Sequence, residues 1–123
     1  MSYLSFVLTA TNLTLATHDR DTHTINTVPL SVRYVINDVV YLADFFMNKT
    51  RSNLNYDDTC TLLAREWLEW YQFKGHAHYI DHTHDNYRQL ANDLIQKFPE
   101  RRLHGIIQFN IHTEYSVWLI WLV

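Results

Sequence analysis

The chain has 123 residues, 47% of them hydrophobic and 15% aromatic, with only two Gly and two Pro. That is room for one domain with a filled core, and it excludes disordered, collagen-like and low-complexity classes. Ten Lys and Arg against thirteen Asp and Glu give a formal charge of −3, too small for a nucleic-acid footprint or for an acidic mimic of nucleic acid.

From the N-terminus, Leu4, Phe6, Leu8 and Ala10 alternate with Ser5, Val7 and Thr9, which predicts a strand with a turn or bulge near Thr11-Asn12. The polar run Thr17 to His23 reads as a loop, and Thr24 to Val28 as a short strand. Residues 31–49 place Val32, Val35, Ile36, Val39, Leu42, Ala43, Phe46 and Met47 at helical spacing, with Arg33, Asn37, Asp44 and Asn48 opposite. This predicts an amphipathic helix. The Val, Ile and Tyr content and the Asn37-Asp38 pair leave a β-hairpin open as the competing reading.

Asn55 to Asp58 supply caps and negative charge for a second helix whose stripe is Cys60, Leu63, Ala64, Trp67, Trp70 and Tyr71. A third helix runs from about Asp85 to Phe98 on Tyr87, Leu90, Ala91, Leu94 and Ile95, ended by Pro99. Leu103 to Ile111 alternates as a strand. A turn at His112-Thr113-Glu114 then returns the chain through Tyr115 to Val123. The predicted fold class is α+β, one domain over residues 1–123. Strands from both termini form an antiparallel sheet, and about three central helices pack on one face.

Cys60 is the single cysteine, so no internal disulfide forms, and a reducing, cytoplasmic setting is expected. The apolar end, Val117 to Val123, is short of the roughly 20 residues a membrane helix needs, and no membrane partner is expected.

Four of the eight His fall in His76-Ala77-His78-Tyr79-Ile80-Asp81-His82-Thr83-His84. His76 and His78 share a face on a strand, and His82 could complete a three-ligand site for a divalent metal such as Zn with one position open. Cys60 in a helical first turn would have a lowered thiol pKa, although a free Cys more often packs as a small apolar group. Trp67, Trp70, Tyr71 and Phe73 near Lys74 suit base stacking, but with three Lys in the chain a nucleic-acid partner is not expected.

The predicted C-terminal hairpin sets Ile111 against Tyr115, Phe109 against Val117 and Ile107 against Leu119. Its other face carries His104, Gln108, Asn110, Trp118 and Ile120, a charge-poor, aromatic surface of interface type. With no phosphate loop, nucleophile elbow or paired carboxylates, the expected function is a non-enzymatic module of the inhibitor, immunity or anti-defence type. Such a module carries no cofactor and occupies a surface of a host or cognate protein, with a homodimer as a further option. The competing expectation is a metal-dependent hydrolase or nuclease built on His76, His78 and His82.

Overall fold

The computed structural model describes residues 4–45 and 49–118. Within them the chain runs α1 (Leu4–Thr9), β1 (Asn12–His18), β2 (Ile25–Leu30), β3 (Arg33–Ile36), β4 (Val39–Asp44), α2 (Thr50–Tyr56), β5 (Thr59–Glu66), β6 (Glu69–Ile80), α3 (Tyr87–Lys97) and β7 (Gly105–Trp118). The seven strands form one sheet in the order β2-β1-β5-β6-β7-β4-β3, with every pair antiparallel. The α+β class holds coarsely, but the sheet dominates and only the third predicted helix lies where the sequence put it.

Laid flat, seven strands would spread over roughly 29 Å at about 4.8 Å each. Instead one hydrophobic cluster takes residues from six strands: Leu13 and Leu15, Leu30, Val40 and Leu42, Leu62 and Ala64, Phe73 and Ala77, and Ile107 and Phe109. Val35 of β3 packs against it. The sheet is therefore curled into a half-barrel around that core. Helix α1 lies in the opening, with Leu4 and Val7 buried in the same cluster. Arg33 of edge strand β3 ties it down: Nε donates to the Val7 carbonyl at 3.0 Å, and an Nη to the Ala10 carbonyl. Such charge-assisted bonds are worth about 1.5–3 kcal/mol.

Helix α3 covers part of the outer face. Ala91 and Leu94 meet Ala43 and Ile106, with Tyr34, Tyr41, Phe45 and Phe98 around them. Tyr34 and Tyr41 stack at 5.1 Å, and the Tyr34 hydroxyl donates to the Leu90 carbonyl.

Four predicted elements are corrected by this arrangement. Residues 4–9 are helix, not strand: Leu4 and Val7 are buried one turn apart, while Leu8 is exposed. Residues 33–44 form a hairpin turned by Asn37 and Asp38, both at positive φ (51° and 64°), the conformation a two-residue type I′ turn requires. Its apolar residues fall on both faces, Val40 and Leu42 to the barrel and Val32, Tyr34, Tyr41 and Ala43 to α3, so no polar alternation marked the strands. Phe46, Met47 and Asn48 of the predicted stripe lie outside the described residues.

Residues 59–80 are a second hairpin, in which Cys60, Leu62 and Ala64 point inward at period two; the helical stripe had joined residues of two strands. The last correction is β7, which runs without a turn through His112, Thr113 and Glu114, paired along its length with β6. The expected pairs Ile111–Tyr115 and Phe109–Val117 therefore do not form, and Leu119 lies outside the described residues. The third predicted helix is present as α3. Among the described residues, no helix is long and apolar enough to cross a membrane.

Candidate functional site

The pleat that fills the barrel turns the alternate residues outward. On β5 and β6 the outward rungs are Thr59 opposite His76, Thr61 opposite Lys74, and Leu63 opposite Gln72. A groove of about 710 Å³ crosses this face, lined by Ala16 and His18 of β1, Thr59 and Thr61, Gln72, Lys74 and His76, and His112 of β7. The volume suits a small-molecule ligand or cofactor.

β7 brings His112 to this wall through a bulge. Lys74 pairs with Thr113 and Gly75 with Ile111, so His112 is the extra residue. Its ring lies edge-to-face with that of His76 at 4.7 Å. The rims are carboxylates already engaged: Asp58 is 2.7 Å from His76 Nδ1, and Asp57 is 3.4 Å from His18 Nδ1. The Thr59 hydroxyl and backbone N–H both donate to Asp57, which holds its carboxyl below the usual range.

A second recess of about 510 Å³ is lined by Arg20, Arg51, Ser52, Asn55 and Tyr56. Arg20 and Tyr56 stand close in the chain to His18 and Asp57 of the groove. The groove carries neutral donors plus Lys74, and the recess at the α2 end carries two guanidiniums.

Two buried carboxylates hold this end in shape. Asp19 accepts from the Lys49 ammonium at 2.9 Å and from the backbone N–H groups of Asp21 and Thr22, which lower its pKa to about 2. Asp81 accepts from the Thr83 hydroxyl and backbone N–H, with His84 Nδ1 at 3.1 Å and Arg51 alongside, and is held well below the ordinary carboxylate range. Asn53, buried in α2, donates to the Thr17 hydroxyl and accepts from the Arg20 backbone N–H.

Both aspartates have depressed folded pKa values. Their stabilisation is complete above the unfolded value of about 3.9 and is lost as pH falls through the folded ones. Urea midpoints should be insensitive to these groups near neutrality and should drop between about pH 4 and about pH 2. In Asp19→Asn/Asp81→Asn protein that drop should be shallower, from a lower starting stability; an unchanged acid limb would sink the assignment.

The residues singled out in the sequence are dispersed. His76 lies in the long groove. His78, two residues on, borders a separate recess with His84, Asn86 and Gln108, and His82 sits beyond the end of β6 in a third. Among the described residues, no three His, Cys, Asp or Glu side chains are placed to hold a metal ion. Cys60 is on β5, not in a helical first turn. It is buried, and desolvation with the nearby Asp58 and Asp57 charges pushes its thiol up to about 12, the opposite of the lowered pKa expected in a helical first turn.

Of the expected partner face, Gln108 and Asn110 are half-buried on β7 and His104 is exposed before it. Trp118 closes β7, and Ile120 lies outside the described residues. Ile106 of the same strand is sealed by α3. Arg20, Arg51, Ser52, Asn55 and the Thr59, Thr61, Gln72 and Lys74 rungs were missed. Their signal is the polar alternation of residues 59–76, readable only once a hairpin is assumed there.

No family model matches the chain, and no curated protein matches it. Solved structures do. HupZ of Group A Streptococcus superposes with a TM-score of 0.76 over 93% of this chain and 90% of that one, at 14% identity. A NimC/NimA family protein of Clostridium acetobutylicum gives 0.69 over 93% and 82%, at 12% identity. An FMN-binding protein of Syntrophomonas wolfei gives 0.69 over 85% and 76%, at 19% identity. The chain shares their fold.

These findings overturn three expectations. The inhibitor, immunity or anti-defence module rested on a helical middle and on the lack of a recognisable constellation. The middle is instead sheet, curled into a fold in which an FMN-binding protein is found. The expectation of no cofactor, or of zinc alone, falls with it, as does that of a hydrolase built on His76, His78 and His82.

Proposed function

We propose that this chain is a flavin-binding protein of the split-barrel type, with FMN spanning the groove and the recess at the α2 end. The supporting observation is the chemical division between these two hollows on a fold shared with an FMN-binding protein. An FMN phosphate carries close to two negative charges and asks for forked, charge-assisted donors. Arg20, Arg51, Ser52 and Asn55 supply them at one end. Arg51 spends one nitrogen on Asp81, and its other two have no hydrogen-bond partner among the described residues.

The isoalloxazine ring is neutral, flat and edged with carbonyls and an imide N–H. Thr59, Thr61, Gln72 and Lys74 line a groove with room for it. These residues fit the group. Bound flavin supplies one- and two-electron redox chemistry. The chain's own residues anchor the phosphate, hold the polar ring edge through Lys74 and Gln72, and wall the groove with the His76–His112 pair.

FMN added to the purified protein should show quenched flavin fluorescence on binding, and riboflavin, lacking the phosphate, should bind more weakly. Arg20→Glu should weaken FMN by about tenfold or more, the worth of one charge-assisted bond, and leave riboflavin unchanged. Lys74→Glu should weaken both. Equal affinity of wild type and Arg20→Glu for FMN would refute the phosphate assignment. Absence of flavin binding, with hemin instead giving a Soret shift lost in His76→Ala, would replace the flavin by a heme.

A further inference from the structure

The β5–β6 hairpin turns through Trp67 and Leu68, and Trp67 takes φ 54°, the left-handed region. The other non-glycine residues there, His23, Asn37 and Asp38, are of types enriched at positive φ, whereas a bulky residue at such an angle is an outlier. Nothing among the described residues compensates. Trp67 is 80% exposed and Leu68 45%, and Trp67 has no ring or hydrogen-bond partner among the described residues.

Both flanking acids are drawn back from the apex. Glu66 accepts from the Thr11 hydroxyl at 2.6 Å, and Glu69 accepts from the Tyr71 hydroxyl at 3.2 Å. Behind them Arg65 lies over the Trp70 ring at 5.3 Å. The last described residue of β7, Trp118, pairs with Glu69 beside the same turn.

We infer that this hairpin tip docks on a lipid bilayer, with Trp67 and Leu68 entering the headgroup–acyl boundary. The occupant follows from shape and chemistry. A two-residue convex apex cannot supply the roughly 800 Å² per partner of a stable protein interface. A bilayer interface, by contrast, favours isolated Trp beside an aliphatic neighbour. Adsorption of this kind needs no span of about 20 residues. With the acids held back and Arg65 lying over the Trp70 ring, apolar burial drives it, so zwitterionic lipid suffices.

The full chain should therefore float with phosphatidylcholine vesicles, and Trp emission should shift to the blue and be quenched by brominated lipid. Trp67→Ser/Leu68→Ser should fold normally, because both side chains are exposed, and should lose vesicle binding about tenfold or more. FMN affinity serves as the folding control, or the urea midpoint if FMN does not bind. Wild type that fails to float, or a double variant that floats equally well, overturns the inference. So does wild-type self-association abolished by the double substitution, which would make the tip a contact between copies.

Discussion

Gly75→Ala should destabilise the protein by about 3 kcal/mol or more, in the upper range for a single substitution. A Cβ placed on Gly75 would lie 1.9 Å from the Asn110 carbonyl oxygen and 2.9 Å from its carbon. Those are backbone atoms of β7 at the bulge, where the extra residue His112 brings the strand in close. Neither strand can yield without breaking rungs on both sides. Gly105 provides the internal comparison. Its added Cβ would meet the Tyr79 ring at 2.4 Å, a side chain and not hydrogen-bonded backbone, and Gly105→Ala should cost less, about 1–2 kcal/mol. Urea unfolding of the two variants measures the difference; equal midpoints would mean that the bulge does not set the β6–β7 spacing.

Phe109→Ala should remove about 3–5 kcal/mol. Phe109 is fully buried and sits between Val40 of β4 and Ala77 of β6, where the two halves of the curled sheet share one core. Truncation loses the transfer energy of the ring and leaves a cavity among strands whose hydrogen bonds prevent collapse. Phe109→Leu fills much of that space and should recover most of the loss. Equal midpoints for the Ala and Leu variants would show that the barrel interior is not packed as described.

Some of this was legible in the residues alone. Tyr87, Leu90, Ala91, Leu94 and Ile95 with Pro99 beyond gave a helix because α3 lies on one side of the sheet and exposes the other, the situation in which period 3.6 is written plainly. Residues 19–28 gave a loop and then a strand because β2 keeps a half-polar outer face, whereas Thr17 and His18, read as loop, belong to β1. Where a strand is buried on both faces that contrast disappears. β3 and β4 carry apolar groups toward both the barrel and α3, so Val32, Val35, Val39 and Leu42 fell into apparent helical spacing. The one local clue was Asn37-Asp38, whose left-handed turn the sequence permitted but did not require.

The two hollows were the least legible part. Arg20 and Arg51 are 31 positions apart, and Thr61 and Lys74 are a rung pair across a hairpin whose turn is a tryptophan, the last residue type a turn rule selects. What the sequence determined by itself was composition, the solitary cysteine and helix α3. Tertiary structure alone decided that His76, His78 and His82 are dispersed, that His76 meets His112, that Cys60 points inward, and that neutral donors and guanidiniums line separate hollows. The physical reason is that period-two and period-3.6 patterns report only the contrast between a wet and a dry face, while a curled sheet is specified by rung-to-rung contacts between residues far apart in the chain.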